Sequence, residues 1–319
     1  MRGFSLFPRA IIPRPAGFDH FLATMGPWGD QRGLGAGAWN CYKALYFGGL
    51  TLPILHIAVL ALVQGITEFL PISSQAHLRL VSAFTGWPDQ GLMMDIAVHV
   101  GTLGAVMLYF WRDLAAMTAG VGRLAQGRHD PGAKLAGFLI LGTLPALAAG
   151  FLVSRYYPAG LRGLELIAWA TLGFGILLYI ADRIGMTVRR IEHLGFGDVL
   201  IIGLAQALAL IPGTSRSGIT MTAGRLLGME RRECARFSML LSIPVIIGAG
   251  SLKGWQLYRS GDVRLSADAL LGAGLAFAAA LVVMAVLMAW LRRSSFTPFV
   301  IYRIALGGFL LSVVYGWGG

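Results

Sequence analysis

Two short stretches of the chain concentrate residue types that do chemistry. The first reads Gln64-Gly65-Ile66-Thr67-Glu68-Phe69-Leu70-Pro71-Ile72-Ser73-Ser74-Gln75-Ala76-His77. Gln64 and Glu68 are four residues apart, so on a helix they share one face. If a new helix starts after Pro71, Ser73 and Ser74 stand one turn before His77. One segment thus offers a carboxylate, an amide, two hydroxyls and an imidazole. The second stretch reads Pro212-Gly213-Thr214-Ser215-Arg216-Ser217-Gly218-Ile219-Thr220. It puts glycines, hydroxyls and an arginine at a predicted helix start, where free N–H groups and the helix dipole favour an anion. Arg216 adds a planar fork suited to bidentate phosphate contact. Ser73, Gly213, Thr214, Ser215 and Ser217 are the predicted phosphate cradle, and Thr220, one turn past Arg216, is placed to face the same cavity. The stretch is not a Walker loop, because the Gly-Lys-Ser/Thr ending is missing. An anion, a metal ion and an acid/base group can meet here, and phosphoryl hydrolysis uses that set. Two plainer readings compete. The first stretch could be interhelical hydrogen-bonding glue, and Arg216 could merely neutralise Glu68.

The surroundings of these stretches are strongly apolar. Of 319 residues, 56% are hydrophobic and only 13% charged, with a mean hydropathy of +0.69. That excludes disorder and argues against a soluble globule, since several apolar runs reach the length of a membrane span. Two cysteines, Cys41 and Cys234, cannot form a disulfide framework or a cysteine-rich metal site. The net charge of +11 would suggest nucleic acid in a soluble protein. Here the arginines sit in short stretches between apolar runs, as at Arg189-Arg190, Arg231-Arg232 and Arg292-Arg293. That is the pattern of loops on a multi-pass membrane protein, and no nucleic-acid partner is expected.

The elements that must position the two stretches follow from hydropathy. Six full spans are predicted at about 93–111, 135–154, 163–181, 237–252, 269–291 and 298–316. Two further apolar stretches, about 54–85 and 198–228, are each broken in the middle by a proline and hydroxyl residues. Non-helical backbone at membrane depth is tolerated only inside protein or beside a polar cavity, so both read as re-entrant helical hairpins. Pairing Pro71 with Pro212 sets Ser74 opposite Ser215, with Gln64 and Gln206 at nearly equivalent places upstream. Three spans separate the hairpins, so they enter from opposite faces. Broken segments at matching places in two inverted halves point to a midplane site. The expected fold is therefore an all-α, polytopic membrane bundle of inverted repeats, repeat 1 at about 52–181 and repeat 2 at about 198–316. Residues 112–134, 182–197, 229–236 and 292–297 carry twelve Lys and Arg, against five in 155–162 and 253–268. The positive-inside rule places the first set in the cytoplasm. Residues 1–51, with four prolines and no long apolar run, read as a poorly ordered extension preceding a membrane domain at 52–319.

The first stretch closely resembles the first signature of the undecaprenyl-diphosphate phosphatase, or bacitracin-resistance, family, and Pro212 to Gly218 is similar to its second. Phe110-Trp111-Arg112, Ser242-Ile243-Pro244 and Ser295-Phe296-Thr297-Pro298-Phe299-Val300-Ile301-Tyr302-Arg303 are further matches in the same order. The resemblance implies a multi-pass enzyme of the bacterial cytoplasmic membrane. It would act on a polyprenyl diphosphate lipid, removing one phosphate from undecaprenyl diphosphate to recycle the peptidoglycan lipid carrier and confer bacitracin resistance. It also implies a divalent cation, Mg2+ or Ca2+, at Glu68 and Gln64, and catalytic roles for Glu68, Ser74, His77 and Arg216. Gln64 stands where the family often has a second acid, and Gln75-Ala76 replaces a small Ser/Thr-Gly pair. Ser74 is left as either nucleophile or hydrogen-bond donor, and His77 as the proton carrier. His99, in a span after Asp95, is an added cavity-facing candidate. A homodimer is left open. The alternative class is a transporter or flippase of a phosphorylated lipid or anion, since inverted repeats with broken helices also build transporters.

Overall fold

The computed structural model describes residues 54–87, 91–156, 163–260 and 267–316. The expected N-terminal extension lies outside the described residues. Among the described residues there are eleven α-helices and no strand. In chain order they are α1 (Ile54–Thr67), α2 (Ser74–Thr85), α3 (Gly91–Tyr109), α4 (Trp111–Leu124), α5 (Pro131–Tyr156), α6 (Leu164–Ile184), α7 (Phe196–Ala207), α8 (Arg216–Leu226), α9 (Arg231–Ser260), α10 (Ala267–Trp290) and α11 (Thr297–Tyr315). The described residues between 54 and 314 form one compact unit.

Six helices are long and apolar enough to cross a membrane: α3, α5, α6, α9, α10 and α11. They are the six predicted spans, mostly extended by a few residues at their ends. The shortest has 19 residues, which at about 1.5 Å per residue comes within about 2 Å of a hydrocarbon core of about 30 Å and lies in the range of natural spans. The two interrupted stretches form helix–break–helix units, α1 with α2 and α7 with α8. None of these four arms exceeds 14 residues, about 21 Å of helix, too short to cross alone. A 3-10 turn at Leu208–Leu210 prolongs α7 toward its break.

Close packing fixes the first unit in place. Gly65 of α1 and Gly101 of α3 both face α10. A Cβ on Gly65 would lie 2.6 Å from the Ala276 carbonyl oxygen, and one on Gly101 only 2.1 Å from that of Ala273. Small residues of this kind let membrane helices approach backbone to backbone. The main core runs from Phe69 at the first break through Met221 of α8 to Phe237, Leu240 and Leu241 of α9 and Phe296 before α11.

One predicted loop is helical. The basic connection expected from residue 112 onward begins as a helix, α4, which buries Met117 and Gly120. Leu114, Met117 and Gly120 recur at spacings of three and set one face of the helix against the start of α5, where a Cβ on Gly120 would lie 2.5 Å from the Ala133 nitrogen, while the opposite face stays open.

Candidate active site

The two breaks are built alike. Ser73 has φ 76° and ψ 97°, and Ser215 has φ 71° and ψ 115°. Among the described residues they alone combine a side chain with positive φ, a conformation that costs about 1–3 kcal/mol and clusters at functional sites. Each is the N-cap of the helix that follows. Ser73 Oγ accepts from the Ala76 N–H at 3.4 Å, and Ser215 Oγ accepts from the Gly218 N–H at 3.1 Å.

This geometry corrects the pairing of the repeats. Ser215 corresponds to Ser73, not to Ser74. Gln64 lies nine residues before Ser73 and Gln206 nine before Ser215, so the two amides then match without a gap. The prolines misled because a helix break can carry its proline at either of two positions, whereas the strained cap occupies one. In the corrected register Ser74 corresponds to Arg216, and Glu68 to Leu210. A symmetric scaffold thus carries asymmetric chemistry, with the carboxylate in one half and the guanidinium in the other.

Ser74 and Arg216 are the first residues of α2 and α8, and both reach Glu68. Ser74 Oγ donates to Glu68 Oε2 at 2.8 Å, and Gln64 Nε2 donates to the same oxygen at 3.0 Å. Arg216 Nη2 donates to Glu68 Oε1 at 3.1 Å, while its Nη1 donates to the Ser238 carbonyl at 3.2 Å. Two helix starts therefore converge on one carboxylate. Each presents a dipole end that favours negative charge.

His77 is engaged elsewhere. Its Nδ1 lies 2.6 Å from the Ser73 carbonyl, so that nitrogen carries the proton, and its Nε2 faces the Tyr302 hydroxyl at 2.5 Å. The two rings stack. Several predicted cradle residues close the breaks against each other. Ser217 Oγ donates to the Leu70 carbonyl at 2.7 Å and lies 3.2 Å from Ser215 Oγ. Thr220 is buried with its hydroxyl against the Arg216 carbonyl and 2.7 Å from Ser238 Oγ. Gly213 adopts φ +97°, and a Cβ there would meet the Ile167 carbonyl at 2.5 Å. Thr214 Oγ1 is buried without a hydrogen-bond partner. His99 is held by its Nδ1 to the Asp95 carbonyl at 2.7 Å.

Two residues outside the predicted site complete it. Arg303 of α11 is fully buried. It donates to Pro71 O (3.3 Å) and Gly213 O (2.9 Å), one carbonyl from each break, and to Thr171 O (3.1 Å) and Ala170 O (3.4 Å) of α6. Tyr302, its neighbour, holds His77. An arginine inside a predicted span was the signal for this role, since such a charge needs a reason to be there.

For a divalent cation, the donor set is small. Among the described residues no three His, Cys, Asp or Glu side chains gather around a common metal position. Gln64 Oε1, however, is buried without a partner beside the Glu68 carboxylate. One carboxylate and one free amide oxygen fit a hard cation that draws its other ligands from water and phosphate.

Residues 57–309 match the family described as bacitracin resistance protein BacA. The chain belongs to the BacA family. Its BacA relatives include "Undecaprenyl-diphosphatase 1" of Rhodospirillum rubrum, 56% identical over 269 residues, 82% of this chain and 95% of that protein. "Undecaprenyl-diphosphatase" of Ruegeria pomeroyi is 49% identical over 83% of this chain and all of its own length. "Undecaprenyl-diphosphatase" of Chromohalobacter salexigens is 49% identical over 81% of this chain and 97% of that protein. The BacA match takes in both breaks, Glu68, Arg216 and Arg303.

Proposed function

We propose that this chain hydrolyses undecaprenyl diphosphate to undecaprenyl phosphate and inorganic phosphate in the bacterial cytoplasmic membrane, returning the lipid carrier to peptidoglycan synthesis and conferring bacitracin resistance. The observation that carries the reading is the convergence of Ser74 and Arg216, each at a helix start, on the Glu68 carboxylate, in a chain whose relatives are undecaprenyl-diphosphatases.

The hydrogen bond from Ser74 Oγ to Glu68 supports Glu68 as the base. Glu68 takes the Ser74 proton as Oγ attacks the terminal phosphorus. The Oγ–P bond forms, the bond from phosphorus to the bridging oxygen breaks, and undecaprenyl phosphate leaves with the proton from Glu68. Water then attacks the phosphoserine, giving its proton to Glu68; the P–Oγ bond breaks, Glu68 returns the proton to Ser74 Oγ, and inorganic phosphate departs. Arg216 and the first-turn N–H groups of α8 bear the charge on the phosphoryl oxygens. His77, tied to the Ser73 carbonyl and to Tyr302, steadies the cap from which Ser74 projects. Mg2+ or Ca2+ would be held by Glu68 and Gln64 Oε1 and would neutralise diphosphate charge when bound.

The test is phosphate release from terminally labelled undecaprenyl diphosphate by the purified full chain in detergent, with Mg2+ and with chelator. Detergent offers no second compartment, so a transporter that lacks hydrolysis gives no signal. Acid quench should trap labelled phosphoserine on the wild type and none on Ser74→Ala. Label found only in inorganic phosphate from the first turnover would mean direct attack by water.

A further inference from the structure

A second cationic site lies away from the breaks, on the face that loop charge assigns to the cytoplasm. A cavity of about 420 Å3 is lined by Arg231 and Arg232 at the start of α9 and by Arg292 and Arg293 after α10, with the hydroxyls of Thr187 and Ser294. Four other arginines of that face have carboxylate partners: Arg123 with Asp130, Arg189 with Asp198, Arg190 with Glu230, and Arg236 with Asp113, whereas Arg112 and Arg183 lie singly over the rings of Trp111 and Tyr179. Arg231 is paired with Asp182. Among the described residues, Arg232, Arg292 and Arg293 have no such partner, and the one acid that lines the cavity, Glu230, is already held by Arg190.

Orientation of a membrane protein needs an excess of Lys and Arg in the loops of one face; it does not need two loops to deliver four guanidinium groups to one cavity. Arg231 and Arg232 also sit in the first turn of a long helix, where the dipole disfavours cations. An anion in the cavity would offset both costs. The neighbours of the lining residues are apolar and exposed: Met186, Val188 and Trp290. Trp290 also donates through Nε1 to the Ser295 carbonyl at 3.1 Å, the posture of an interfacial tryptophan. Exposed apolar side chains next in the chain to the lining residues suit the acyl chains of a lipid, which a soluble anion lacks.

We propose that this arginine cavity binds the phosphate headgroup of an anionic phospholipid from the adjoining leaflet, as basic pockets between membrane helices do. The site is separate from the catalytic breaks, so the proposal stands or falls without the reaction assigned above.

The experiment is native mass spectrometry of the purified full chain in neutral detergent, titrated with phosphatidylglycerol and with phosphatidylcholine. Phosphatidylglycerol should be retained in preference. A combined Arg232→Gln, Arg292→Gln, Arg293→Gln variant should bind it about a hundredfold more weakly, at roughly fivefold per arginine. Removing the same charge from the same face elsewhere, by Arg112→Gln, Arg128→Gln and Arg183→Gln, should leave the affinity at the wild-type level. Equal losses in the two triple variants would overturn the site in favour of diffuse surface charge. Displacement of the lipid by millimolar inorganic phosphate would overturn the lipid assignment and leave a soluble-anion site. Should the first triple variant not purify, the single changes Arg292→Gln and Arg293→Gln serve instead, and two singles that bind like the wild type would overturn the proposal.

Discussion

Replacing Arg303 by lysine should disable the enzyme without touching a group that meets substrate. The guanidinium spends all its bonds on backbone carbonyls, two on α6 and one on each break. Lysine keeps the charge but replaces the fork with one ammonium, whose three N–H donors leave at least one of the four carbonyls unmet. At about 1.5–3 kcal/mol for each hydrogen bond from a charged donor, the loss is at least that much. That is a sizeable part of the stability of a typical domain and should lower Tm by at least about 5 °C. The breaks would also lose their common tie, and a displacement of about 1 Å between Ser74 and Arg216 is enough to lower kcat on the order of a hundredfold. Thermal unfolding in detergent and phosphate release from undecaprenyl diphosphate measure the two effects. A milder variant guards against misfolding: Gly175→Ala would bring a Cβ within 2.9 Å of the Arg303 Cβ, shifting the clamp without removing it. Wild-type Tm and kcat in Arg303→Lys would refute the clamp. Full activity in Arg303→Lys beside an inactive Arg303→Met would mean that charge acts and the fork does not.

Further outcomes follow from the same geometry. Glu68→Gln should fold and lose nearly all turnover, because the amide cannot take the Ser74 proton; steady-state phosphate release checks this, and wild-type rates would remove Glu68 from the reaction. Arg216→Lys should lower kcat on the order of a hundredfold, the scale for one well-placed transition-state donor, and near-normal kcat would reduce Arg216 to its charge. Gly101→Ala should destabilise by about 1–3 kcal/mol, as overpacking does, since its Cβ would fall 2.1 Å from the Ala273 carbonyl oxygen; an unchanged Tm would contradict the close α3–α10 contact. The Asp198 carboxyl is held below the usual carboxylate range, chiefly by its hydrogen bonds from Arg189. Its contribution to the 189–198 turn is complete above the ordinary aspartate range and is lost as pH falls through the lowered value. Amide exchange in that turn should therefore be flat near neutrality and rise, beyond the intrinsic pH effect, only under strongly acid conditions.

Much of this protein was legible in the sequence. Hydrocarbon forces backbone groups to satisfy one another within each segment, so runs of about 20 apolar residues can only be spanning helices, and all six were found where composition put them. The breaks at Pro71 and Pro212 were equally visible, because proline and clustered hydroxyls end helices by local rules. Glu68 and Arg216 stood out because a charge among apolar residues needs a purpose. What the sequence left open depends on contacts between segments distant in the chain. The pairing of Ser73 with Ser215 is set by backbone dihedrals, which a motif does not record. That Ser74 rather than His77 meets Glu68 depends on the angle at which α2 leaves its cap. Arg303 looked like one charged residue in a span until folding brought carbonyls from α6 and from both breaks around it. Local physics chose the elements; only their packing decided which atoms face each other.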